Sequence, residues 1–248
     1  MTKGIIYYTD NETPPKIAWE VQFRLKTIAK ERQMPIVCAS LKRRSGFGDT
    51  NIYFPSLKRG KLTLFTQIVS ALEHSTADTI FFCEADILYH SSHFDFTPPT
   101  KEAYYYNISN WVIWINEAVA THVDINIPLS MLCGDRELLL GHYKRKIARV
   151  MERIKAMEAA GQPIRNQGVS MQMSYEPGGE GRGEKVDNVP ILTWASEWPN
   201  LDLRHGHNLT KGKRYPTSYR NRRWAQGWME AKEVPGWGKV SDIIQSLV

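Results

Sequence analysis

Apolar residues in the first ninety positions fall into two alternating patterns: short β-branched or aromatic runs, and longer stretches with helical spacing. Gly4-Ile5-Ile6-Tyr7-Tyr8 predicts a first strand, closed by the polar Thr9-Asp10-Asn11-Glu12. After Pro14-Pro15 the positions Ile17, Val21, Leu25 and Ile28 recur at helical spacing, so a helix is predicted to about Gln33, where Met34-Pro35 stops it. Ile36-Val37-Cys38-Ala39 predicts a second strand, and strand, helix, strand implies a right-handed βαβ unit. Leu62, Phe65, Ile68, Val69 and Leu72 then mark a second amphipathic helix from Gly60-Lys61. It leads into the run from Thr79 to Tyr89, which is apolar except for two carboxylates, Glu84 and Asp86.

Further along, Tyr104 to Asn107 and Trp111 to Ile115 flank Ile108-Ser109-Asn110, a pattern that predicts a hairpin. Leu129 to Glu137 leads into a long helix with Leu138, Ile147, Val150, Met151, Ile154 and Met157 as its apolar positions. Tyr175 to Glu184 holds four glycines and a proline among charged residues and predicts a flexible loop, either a lid or a linker. Val189 to Trp194 predicts the last strand, and the strand-like Leu201-Asp202-Leu203 follows. The expected fold class is α/β, a mixed sheet flanked by helices, in one domain over residues 1–248. Within it three parts are expected, 1–90, 91–210 and a basic, aromatic C-terminal segment over 211–248.

Composition narrows the class. With 42% hydrophobic and 23% charged residues among 248, the chain is that of a globular protein rather than a disordered one. No apolar run approaches the roughly 20 residues of a membrane span, and Met1-Thr2-Lys3-Gly4 passes directly into a strand, so a cytoplasmic protein is expected. Cys38, Cys83 and Cys133 are far apart and form no zinc or disulfide pattern. A net charge of +6 and a sequence pI near 9.1 favour anionic partners: nucleotide phosphates, nucleic acid or an acidic surface.

The candidate chemistry centres on Glu84 and Asp86. Acids at the carboxyl end of a strand lie where open α/β sheets bind ligands, and an i, i+2 pair points one way if the chain stays extended. Their oxygens suit Mg²⁺ or Mn²⁺; a solvated turn or a helix cap fits the same residues. The loop from Ser40 to Asp49, with Arg43 and Arg44, fits a diphosphate clamp or a surface turn. His205-Gly206-His207 offers imidazole ligands. The long helix carries a basic stripe, Arg145, Arg149 and Arg153, and the tail from Lys211 to Trp224 interleaves cations with aromatic rings, as nucleic-acid surfaces do.

A βαβ half closing on Glu84-Ala85-Asp86 resembles the GT-A-fold glycosyltransferases, metal-dependent enzymes in which an Asp-x-Asp element chelates the cation on a sugar nucleotide's diphosphate. Here glutamate stands at the first position. The resemblance implies a nucleotide-binding half over 1–90, an acceptor half with the last metal ligand over 91–210, a nucleotide-sugar donor and a Mn²⁺ or Mg²⁺ cofactor, with Asp86 the firmer ligand, Glu84 beside it, and His205 or His207 completing the shell. It implies Thr9, Asp10, Arg43, Arg44 and Lys61 on the donor, and Asp135 or Glu137 as catalytic base or as cap of the long helix. The acceptor expected from the charge distribution is nucleic acid, for instance a modified DNA base. A nucleotidyltransferase is the rival enzyme, although Thr9-Asp10-Asn11-Glu12 lacks the glycines of its phosphate loop; a nucleic-acid-binding protein without catalysis is the rival outside enzymes.

Overall fold

The computed structural model describes residues 1–43, 46–124, 127–170, 177, 186–206 and 226–247. The chain is α/β, with a mostly parallel seven-stranded sheet, a five-stranded sheet and a two-stranded ribbon. β1 (Lys3–Thr9), β2 (Ile36–Ser40), β3 (Thr50–Tyr53) and β4 (Thr79–Glu84) run parallel, with β1 between β2 and β4. α1 (Pro15–Glu31) connects β1 to β2, and α2 (Lys61–His74) connects β3 to β4. Pro15 opens α1 with its fixed φ. Gln33, in the left-handed region at φ 53°, and Pro35 close it. β3 was not anticipated, because Thr50-Asn51-Ile52-Tyr53 is short and only partly buried.

The path from β1 leads outward through β2 and β3, then α2 carries it back to β4 on the other side of β1. That reversal is the topological switch point of the sheet. Open α/β sheets bind ligands outside the carboxyl ends of the strands at such a point, here beside Thr9 and Glu84.

Beyond β4 the chain turns at Ala85-Asp86 into β5 (Ile87–Leu88), which belongs to the second sheet. The condition that Glu84 and Asp86 share one extended strand is thus not met. β6 (Tyr104–Asn107) returns to the first sheet, whereas β7 (Asn110–Trp114) lies in the second. The predicted hairpin between them does not form: Asn107 Oδ1 accepts from Ser109 N at 2.9 Å and from Ser196 N at 3.2 Å, holding a bend at which the chain changes sheets. The hairpin is instead β7 with β8 (Val119–His122), turning over Ala118 at φ 50°.

β9 (Leu132–Asp135) enters the first sheet antiparallel to β4 and β6, and α3 (Arg136–Ala159) follows at once. β10 (Ile191–Trp194) extends that sheet beside β6. β11 (Asn200–Arg204) lies in the second sheet between β7 and β5. The second sheet ends at β12 (Met229–Ala231), the ribbon is β13 (Glu233–Val234) with β14 (Gly238–Lys239), and α4 (Val240–Leu247) closes the described chain. Alternation along β4 sends Phe82 toward Tyr143 of α3, while Phe81 meets His93 and Phe94 on the opposite face. Among the described residues no helix is long and apolar enough to cross a membrane.

Candidate metal and donor site

β1 and β4 bring the first groups to the switch point. Their register pairs Tyr8 with Glu84, and Tyr8 Oη donates to Glu84 Oε1 at 2.8 Å. The Glu84 backbone N–H meets Tyr89 Oη at 3.0 Å. Burial pushes the Glu84 carboxyl up to about 8; the charges of Asp86 and Asp202 add to the rise, and the Tyr8 hydrogen bond and Lys61 oppose it.

Asp86 is joined to the far end of the described chain by backbone pairing. β11 zips antiparallel to β5, Asp202 opposite Ile87, and Leu203 N donates to Asp86 O at 2.8 Å. This places His205, the residue after β11, with Nε2 3.7 Å from Asp86 Oδ2. Two residues 119 positions apart in the sequence therefore share one corner. The His205 side chain is 6% exposed and that of Asp86 20%, so the corner is sheltered but open to a ligand.

Asp202 and Tyr8 are the members that sequence reasoning missed. Asp202 is 3% exposed and pairs with Arg204 in a short salt bridge. The signal for it was an aspartate inside an apolar alternation, Leu201-Asp202-Leu203, where a charge is costly unless paired.

The remaining candidates lie as follows. Thr9 is buried; its Oγ1 accepts from Asn11 N and its carbonyl from Gln67 Nε2. Asp10 turns the loop through Glu12 N and is bridged to Arg59. Lys61 opens α2, and its charge reaches Glu84. Gln167 Oε1 accepts from Leu62 N and Thr63 N, so the first turn of that helix is capped from within the chain. In the basic loop, Lys42 is tied to Asn11 and Glu12, and Arg43 is exposed. Arg44, His207 and the tail from Lys211 to Trp224 lie outside the described residues, as does the glycine-rich loop apart from Pro177.

Asp135 and Glu137 are not brought to this corner. Asp135 pairs with Thr79, at the amino end of β4, five strand residues or roughly 17 Å from Glu84. Its Oδ1 accepts from Glu137 N and Leu138 N and caps α3, and Glu137 points outward beside Arg136. Capping is what a short acid at a helix start does best. The basic stripe of α3 is partly committed: Arg145 meets Asp187 at 3.0 Å, and the neighbouring Lys144 meets Glu73 at 2.7 Å.

Among the described residues no three His, Cys, Asp or Glu side chains converge tightly enough to hold a metal ion by themselves. What the corner offers is one carboxylate and one imidazole at short range, with Asp86 and Asp202 close enough to Glu84 to raise its carboxyl. Two such donors would leave most of the shell of a divalent cation to other ligands.

No protein-family model matches the sequence, and no curated protein matches it. Solved structures do resemble it in outline. A Drosophila β1,4-galactosyltransferase 7 mutant in complex with manganese, UDP-Gal and xylobiose is 10% identical, with a TM-score of 0.37 over 68% of this chain and 67% of that one. A glycosyltransferase involved in glycosylation of the major capsid of PBCV-1 is 8% identical, with a TM-score of 0.36 over 60% and 66%. Galactosyltransferase LgtC with donor and acceptor sugar analogs is 9% identical, with a TM-score of 0.38 over 66% and 68%. The chain spans about two thirds of the length of these structures.

Proposed function

We propose that this protein is a GT-A-type glycosyltransferase that uses a nucleotide-sugar donor and a divalent cation, Mn²⁺ in preference to Mg²⁺. The observation that carries the reading is the approach of His205 Nε2 to Asp86 Oδ2, 3.7 Å, beside the switch point of the sheet. In this reading Asp86 and His205 hold the cation and Glu84 stands behind them. When bound, the cation neutralises charge on the departing nucleoside diphosphate. Tyr8 fixes the Glu84 carboxyl by its hydrogen bond, and Lys61 adds positive charge from the start of α2. Thr9 and Asp10, at the end of β1, face the nucleoside. Asp135 and Glu137 have no part in the chemistry.

The acceptor is a hydroxyl group whose chemical class no described side chain selects. A nucleic-acid acceptor would rest on the tail beyond Lys211, so modified and unmodified oligonucleotides belong in the assay beside simple glycans.

The test is nucleoside diphosphate release from a panel of sugar nucleotides with Mn²⁺, with Mg²⁺ and with chelator. The reading predicts release from at least one donor, dependent on metal and lost in Asp86→Ala. Metal-independent release, or release unchanged in Asp86→Ala, would defeat it.

A further inference from the structure

α1 uses Ile17, Val21, Leu25 and Ile28 on its inner face to pack into the core, which accounts for its apolar period. Its outer face carries something the core does not need. Trp19 is 63% exposed and Phe23 57%, and their rings stack on one another with centroids 5.3 Å and planes 7° apart. Large apolar side chains scattered singly on a surface are ordinary. Two that pack together form one contiguous apolar ledge, held outside the fold.

The ledge sits within a row. Lys16, Trp19, Phe23, Lys26 and Lys30 follow each other at alternating three- and four-residue steps, so they share one face of the helix. All five are exposed. The row extends roughly 21 Å along the axis, with cations at both ends and the aromatic pair between them. No acid interrupts it, and the adjacent Glu20 is bridged to Arg24. Lys26 Nζ donates to the carbonyl of Gly46 at 2.6 Å; a neutral acceptor leaves the ammonium charge uncancelled.

We infer that this face of α1 docks on an anionic lipid bilayer, with Trp19 and Phe23 entering the headgroup region and Lys16, Lys26 and Lys30 lying among the anionic headgroups. Charge complementarity argues for that occupant, since the row is wholly cationic apart from its rings and the chain carries a net charge of +6. An apolar wedge flanked by lysines supplies the two signals that reversible membrane attachment requires: buried apolar area and electrostatic attraction. A nucleic-acid strand would answer to the lysines as well, but it needs open ring faces for its bases, and these two rings cover part of each other. The inference is independent of the transferase reading, because none of the five residues belongs to the Asp86 corner.

The test is sedimentation of the full chain with vesicles of phosphatidylcholine alone or mixed with phosphatidylglycerol. The protein binds the mixed vesicles and not the neutral ones, and added salt weakens binding. Replacing Lys16, Lys26 and Lys30 together by glutamine lowers affinity about a hundredfold, at about fivefold per lysine. The pair Trp19→Ser and Phe23→Ser lowers it by about tenfold or more. All five side chains are exposed, so thermal unfolding of both variants matches the wild type; Trp19→Gln with Phe23→Gln provides a second aromatic replacement. Failure of the wild type to sediment with mixed vesicles overturns the inference. So does binding indifferent to either set of substitutions, or a single-stranded oligonucleotide that binds through the same five residues when vesicles do not.

Discussion

Two carboxylates in this protein, Asp187 and Glu84, have opposite electrostatics, and the contrast separates a staple from a candidate site. At the end of the first sheet, burial would push the Asp187 carboxyl up, yet three donors reverse the effect: His142 Nδ1 at 2.8 Å, Tyr104 Oη at 2.8 Å and Arg145 at 3.0 Å hold it well below the usual carboxylate range. Every partner there is supplied by the chain. At the carboxyl edge of β4 the opposite holds. Glu84 is raised by burial and by two other carboxylates, and one tyrosine hydroxyl and a more distant lysine do not compensate. A fold that neutralises one buried acid so thoroughly leaves another under-neutralised where a ligand's charge would be needed. Such an imbalance is characteristic of functional sites.

The contrast is broken most severely at the metal corner. Asp86→Ala is expected to reduce metal-dependent donor turnover by about a hundredfold or more, because the cation's contribution to the transition state is worth several kcal/mol. Its melting temperature should change little. Asp187→Asn should do the reverse, destabilising the fold by about 1–2 kcal/mol in chemical denaturation, the loss of charge-assisted hydrogen bonds to a partly exposed carboxylate, while donor binding is retained.

The pH dependence of Asp187 follows from its lowered value. A depressed acid contributes stability above its unfolded value, near 3.9, and that stability is lost as pH falls through the folded value. The difference between wild type and Asp187→Asn should therefore be full at neutral pH and shrink progressively below about pH 4. Acid unfolding curves of the two proteins check this. At Glu84 the sign is opposite. Its raised value means that the metal-free protein loses stability as pH climbs from about 4 toward 8, so Glu84→Gln should stabilise that form at pH 8 and leave it unchanged at pH 4. Thermal melts at the two pH values, with chelator, measure it.

Much of this arrangement was legible in sequence because it is local. The periodicities of α1, α2 and α3, the strands β1, β2 and β4, and the carboxylates at the end of β4 all follow from spacing within one element. His205 was singled out for a different reason, as one of two histidines flanking a glycine after a strand-like run, and the pairing of β11 with β5 sets it beside Asp86. What escaped the sequence was pairing. Nothing in Tyr104-Tyr105-Tyr106-Asn107 says that its strand and Trp111's belong to different sheets; that depends on Asn107 holding the bend through Ser109 and Ser196. Asp202 escaped because its partner, Arg204, and its strand neighbour, Ile87, are fixed only once β11 and β5 meet. Asp135 stayed open between two roles because a helix cap and a catalytic base use the same residue at the same kind of turn; it caps α3, and its register pairs it with Thr79, at the far end of β4 from Glu84.

The central claim is that Asp86 and His205 grip one divalent cation across the gap between β4 and β11. Electron paramagnetic resonance of added Mn²⁺, in wild type, Asp86→Ala and His205→Ala, addresses it without any assumption about donor or acceptor. The account predicts bound Mn²⁺ in the wild type, with its signal lost or much weakened in both variants. Mn²⁺ bound equally well by all three proteins would contradict it.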